Sequence, residues 1–158
     1  MELVLEKKVN RPIIIEGFPG FGLVSTIATE YIINHLNAER IGKIIIREVP
    51  PVVAVHEGMS VEPVGIFYSK KYNLVILHAL TSVRGFEWKV ADIVAELAKK
   101  VNAVEIVCIE GIGGASGANN AYYLSSINPK KLKAKTGIEK LSEGIVMGVT
   151  GAMILKRK

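Results

Sequence analysis

Among its 158 residues the chain has one cysteine, no glutamine, few aromatic rings (6%) and no long apolar run. Each scarcity excludes something. A lone Cys108 forbids any intramolecular disulfide, and its place in the apolar run Val104 to Ile109 reads as a small buried hydrophobe. Crossing a bilayer takes about 20 apolar residues in one helix, so no transmembrane segment and no membrane partner are expected. The start, Met1-Glu2-Leu3-Val4-Leu5-Glu6-Lys7-Lys8, is charged and lacks a long apolar stretch ahead of a small-residue cleavage site. It reads as no secretory signal, and a cytoplasmic location is expected.

Histidine is also scarce. His56-Glu57 begins like a zinc helix, but H-E-x-x-H requires a second histidine where Ser60 stands, and Gly58 disfavours helix. His78 lies inside an apolar strand and His35 closes the first helix, where a cation suits the dipole. Both read as structural, and neither a metal nor a cofactor is expected.

What the chain does have is apolar mass. Hydrophobic residues make up 49% of it, and a single domain over 1–158 is expected to bury roughly 70% of the surface its unfolded chain exposes. Isoleucine is abundant and the charges are mostly lysine and glutamate, a bias of proteins from hot habitats that points to a thermophilic, archaeal source. The net charge of +5 comes largely from Lys130-Lys131-Leu132-Lys133-Ala134-Lys135 and Lys156-Arg157-Lys158. Without interleaved aromatics these clusters read as solvated surface rather than a nucleic-acid site.

Strand-like runs occur at Leu3 to Leu5, Pro12 to Glu16, Lys43 to Val49, Val52 to Val55, Val61 to Tyr68, Asn73 to Leu80, Val104 to Glu110 and Gly144 to Val149. Ile44-Ile45-Ile46 and Val75-Ile76-Leu77 are apolar on both faces, as suits central strands covered on each side. A first helix is predicted over about Leu23 to Leu36 with Leu23, Ile27, Tyr31 and Ile32 on one stripe. A second is predicted over about Glu87 to Lys100, striped by Val90, Val94, Leu97, Ala98 and Val101. A hairpin is predicted at Ser69 to Asn73. The expected fold is α/β, a three-layer α/β/α sandwich with a mixed, largely parallel sheet.

Two glycine loops follow strands. Gly17-Phe18-Pro19-Gly20-Phe21-Gly22 matches neither the dinucleotide fingerprint nor a Walker loop, and Phe18 and Phe21 read as an interaction or packing device. Glu110-Gly111-Ile112-Gly113-Gly114-Ala115-Ser116-Gly117 puts Ala118 where a G-x-S-x-G elbow needs glycine, so Ser116 is not read as a nucleophile. In an open α/β sheet such loops meet at a crevice beyond the carboxyl ends of neighbouring strands. Arg84, Phe86 and Trp88 lie between a strand and a helix and include types enriched at binding hot spots. With Phe18 and Phe21 they are the candidate protein-binding residues, and no catalytic constellation is read.

The segment Ile15 to Val24, with Glu110-Gly111-Ile112-Gly113 and Gly148-Val149-Thr150-Gly151, resembles the proteasome assembly chaperone family of the second-subunit type and its archaeal members. The resemblance implies a fold related to nucleoside phosphorylases and no established catalysis. It also implies protein-binding work on proteasome α subunits and a habit of forming oligomers. The ending Ile154-Leu155-Lys156-Arg157-Lys158 lacks the docking tail of some members and falls soon after the Gly-Val-Thr-Gly segment, so the chain reads as a short member. Apolar surface left open by missing covering helices would favour association, with itself first and a longer family member second. The competing readings are a structural oligomer detached from the proteasome and a phosphorylase-like or nucleotide-binding enzyme using the glycine loops.

Overall fold

A computed structural model describes residues 1–56, 58–113, 120–125 and 136–156, so the basic stretch 130–135, Ser116 and Glu57 lie outside the described residues. Two compact units are present, Met1–Gly111 with Met147–Lys158, and Ile112–Val146.

The larger unit holds strands β1 (Glu2–Leu5), β2 (Ile13–Gly17), β3 (Glu39–Ile45), β4 (Ala54–His56), β5 (Met59–Val61), β6 (Val64–Ser69), β7 (Leu74–Ala79) and β8 (Glu105–Cys108). Its helices are α1 (Val24–Leu36), preceded by a 3-10 turn at Phe21–Leu23, α2 (Glu87–Lys100) and α3 (Gly148–Lys156). Six strands form one sheet in the order β1-β3-β6-β7-β2-β8, and β4 with β5 makes a separate antiparallel ribbon. In the smaller unit β9 (Tyr122–Tyr123) pairs in parallel with β10 (Glu139–Lys140).

The sheet is mixed, as expected, but not largely parallel. β2 is parallel to both β7 and β8, whereas β1/β3, β3/β6 and β6/β7 are antiparallel. The reason is connection length. The four residues 70–73 join β6 to β7 as the predicted hairpin, and so short a link permits only an antiparallel pair. The chain between β7 and β8 contains α2, long enough to carry it past β2 and set β8 down parallel.

Leu97, Val90 and Val94 are fully buried and Val101 nearly so, as the stripe on α2 predicts. They join Ile14, Ile44, Ile66, Val75 and Leu77 in one core, each large aliphatic contributing roughly 1.5–3 kcal/mol by leaving water. Gly144 to Val149, predicted as a strand, is none. Gly148 takes a left-handed φ of 72° and opens α3. A short apolar run does not by itself distinguish strand from buried helix.

Candidate functional site

α1 turns its apolar stripe outward. Its buried residues are Ser25, Thr26 and Thr29, while Ile27 is 61% and Tyr31 66% exposed, with Leu23 and Val24 also open to solvent. This orientation follows from where the hydroxyls find partners. Ser25 donates to the Phe18 carbonyl, Thr26 to the Ala79 carbonyl at 3.1 Å, and Thr29 to the Ser25 carbonyl at 2.9 Å. Thr29 Oγ1 also lies 2.9 Å from His78 Nδ1 on β7. Two main-chain carbonyls outside the helix and one histidine thus satisfy a polar face, which carries no desolvation penalty once bonded. Gly17 makes the close approach possible: a Cβ there would collide with the Thr29 side chain and the Ser25 carbonyl.

The outward face is therefore apolar. Val24, Ile27, Ala28, Tyr31 and Ile32 line one shallow concavity along α1. Phe21, 63% exposed, precedes it. Tyr31 is stacked on His35, ring centroids 5.6 Å apart. Such a run of adjoining exposed apolar side chains is what association surfaces show.

Beneath the loop that feeds α1 lies a pair of carboxyl groups. β2 and β8 are neighbours, and each ends in Glu-Gly: Glu16-Gly17 and, two residues beyond β8, Glu110-Gly111. Glu16 is 1% exposed. Its Oε1 accepts the Phe18 N–H at 3.1 Å, and the Cys108 thiol donates to the same carboxyl. Glu110 accepts from the main-chain N–H groups of Phe21 and Gly111. Thr150 of α3 stands between them, its hydroxyl 3.1 Å from Glu110 Oε2 and 3.5 Å from Glu16 Oε2.

Burial raises the Glu16 carboxyl to about 7, opposed by its hydrogen bonds and aided by the Glu110 charge. Burial also raises Glu110 and, together with the Glu16 charge, pushes the Cys108 thiol up. Cys108 is thus not simply a small hydrophobe in an apolar run. It is half-buried beside a carboxyl on the face opposite Val107. Chemically this cluster can hold a proton and a loop. Among the described residues no group of three or more His, Cys, Asp or Glu could hold a metal ion, and no helix is long and apolar enough to cross a membrane.

The sequence-derived candidates separate. Phe18 is 3% exposed and belongs to the core, so it anchors the loop from below while Phe21 stands outside. The first glycine loop meets Glu110 and Gly111 at the start of the second: a Cβ on Gly111 would strike the Phe21 carbonyl, and one on Gly20 the Glu110 carboxylate. Arg84, Phe86 and Trp88 lie in the stretch where β7 gives way to α2. There Arg84 is exposed, Trp88 is 54% exposed and Phe86 is half-buried under Lys89. Their turn is held by Glu87, which accepts the Gly85 N–H at 3.0 Å. His78 on β7 meets Thr29 of α1, and burial lowers its pKa. The Glu16–Glu110 pair escaped the sequence reading, though two strands ending in the same Glu-Gly dipeptide were the available signal.

Comparison with known proteins adds the family. A model of the PAC2 family matches residues 14–157. A Methanocaldococcus jannaschii protein of uncharacterized role is 24% identical over 99% of this chain and 66% of its own length. Pyrococcus furiosus PbaA, described as an archaeal homolog of proteasome-assembly chaperone, superposes with a TM-score of 0.80 at 27% identity, covering 96% of this chain and 68% of that one. Pyrococcus furiosus PbaB, described as an archaeal proteasome activator, shares the fold with a TM-score of 0.79 at 20% identity, over 96% of this chain and 72% of that one. The chain spans about two thirds of the length of these relatives.

Proposed function

The chain belongs to the PAC2 family, and on that premise we propose that it is a non-enzymatic protein-binding scaffold of the proteasome-assembly kind. The observation that carries this reading is the outward apolar face of α1, with Phe21 at its start. A globular chain gains nothing for its own stability by exposing Ile27 and Tyr31, and aromatic and aliphatic side chains gathered on one helix are a common protein-docking element. The description of PbaA as a proteasome-assembly chaperone homolog supports a proteasome component as the partner class. Proteasome α subunits, a longer member of the family and a second copy of this chain are the surfaces we assign to it. The same reading takes the fold as a three-layer sandwich. In support, Gly17 faces Thr29 of α1 while its neighbour Glu16 faces Thr150 of α3, and adjacent strand residues point to opposite faces.

The test is affinity. Tyr31→Glu places a charge at the centre of the exposed stripe without touching the core. Binding to archaeal proteasome α subunits, measured by titration calorimetry, is expected to weaken by at least about 30-fold, the hot-spot scale. The melting temperature is expected to stay put. Unchanged affinity, or no binding by the unaltered chain to α subunits or to itself, contradicts the proposal.

A further inference from the structure

We propose that Glu16 and Glu110 form a proton-controlled latch on the loop of residues 18–23: one proton held between the two carboxyls keeps the loop down, and its loss sets the loop free. The argument begins with a count of hydrogens. Thr150 has a single hydroxyl proton and two carboxylate neighbours, and the shorter contact, 3.1 Å to Glu110 Oε2, takes it. The 3.5 Å contact with Glu16 Oε2 is then attractive only if that oxygen carries a proton and donates to Thr150 Oγ1. Glu16 Oε1 is already accepting the Phe18 N–H, which leaves Oε2 as the protonated oxygen. One continuous arrangement satisfies every group: Glu16 to Thr150 to Glu110, with Glu110 accepting from Phe21 and Gly111.

Without that proton two negative charges flank one hydroxyl. The groups that face them are the Cys108 thiol from β8, Thr150 from α3 and the main-chain N–H groups of Phe18, Phe21 and Gly111. α2 brings aliphatic side chains to the core, and His78 of β7 is turned to the opposite face against Thr29. Among the described residues no lysine, arginine or histidine forms an ion pair with either carboxylate, so repulsion is not neutralised.

The loop is built to respond. Gly20 rests on the Glu110 carboxylate closely enough that a Cβ would overlap it. Gly22 and Leu23 take consecutive left-handed conformations, φ 67° and 55°, and a leucine holds such a conformation only when its surroundings enforce it. The two carboxyls supply that enforcement through Phe18 and Phe21. The elevated Glu16 carboxyl places the release near neutral pH. Freed, the loop would change the presentation of Phe21 and Leu23 at the start of the α1 face. This inference concerns the loop alone and stands apart from the docking reading, because its test involves no partner.

Amide hydrogen exchange, corrected for intrinsic rates, reads the latch directly. Between pH 6 and pH 8.5 the protection of the Phe18 and Phe21 amides is expected to fall by about tenfold or more, while that of Ile76 and Leu77 in β7 falls by less than about twofold. Glu16→Gln removes the titrating proton and keeps the shape; this variant is expected to lose the fall at both Phe18 and Phe21. Glu110→Gln removes only the charge that aids it, and is expected to make the fall smaller. Protection independent of pH in the unaltered chain, an equal fall in β7, or a fall that persists in Glu16→Gln would each overturn the latch.

Discussion

At the scale of single residues, buried polar groups set the terms. Glu16 keeps its proton in the folded chain up to about pH 7, whereas the exposed side chain in the unfolded chain releases it near its ordinary value of 4.5. Folding therefore binds a proton between those limits. The stability contributed by Glu16 is fully present below 4.5 and is lost as pH rises through about 7. His78 runs the other way. Burial depresses its pKa, so its contribution is present above 6.5 and is lost as pH falls. Comparing Glu16→Gln with the unaltered chain cancels the histidine. Urea melts at pH 5 and pH 8 are expected to show the variant gaining about 2 kcal/mol on the unaltered chain between the two; equal shifts at both pH values would contradict a protonated Glu16. Thr29→Val tests the α1 anchor: it leaves buried His78 Nδ1 without its 2.9 Å partner. Equilibrium unfolding is expected to register a loss of about 1–3 kcal/mol.

At the scale of elements the two long helices separate what sequence reveals from what it conceals. α2 reads plainly because its apolar positions recur at helical spacing against lysine and glutamate, and Val90, Val94 and Leu97 are the residues the core takes. α1 lies where its spacing predicts, with its apolar stripe toward solvent. Its Leu23, Ile27 and Tyr31 have the same spacing, yet Ser25, Thr26 and Thr29 turn inward because the Phe18 and Ala79 carbonyls and His78 await them. Those acceptors come from other elements, so no local pattern announces them. The carboxyl pair was hidden for the same reason. Glu16 and Glu110 meet only because β8 lies beside β2, a pairing set by the path of the chain past α2. Thermal or urea unfolding checks the contrast between the helices: Leu97→Ala is expected to cost about 2–5 kcal/mol and Ile27→Ala no more than about 0.5. Similar losses at both would mean that α1 hides its apolar face.

At the scale of the whole molecule, the larger unit stabilises itself through one core and turns surplus apolar surface outward. The carboxyl ends of β2, β7 and β8 carry the loop at Phe21, the Trp88 stretch and the Glu110 turn. A protein-binding scaffold needs that division: a rigid sheet to position its surfaces, and surfaces that contribute nothing to the sheet. Trp88→Ala, at a half-exposed position, is expected to weaken association more than folding, checked by comparing particle mass and melting temperature. Unfolding, or an unchanged mass, would remove Trp88 from the contact surface. The central claim is that protein covers the α1 face when the molecule works. Sedimentation of the unaltered chain, alone and with archaeal proteasome α subunits, beside Ile27→Glu/Tyr31→Glu, measures it most directly. A mass above one chain in at least one mixture, reduced by the double substitution, is the expected result; a single-chain mass throughout, or a complex that the substitutions leave intact, contradicts it.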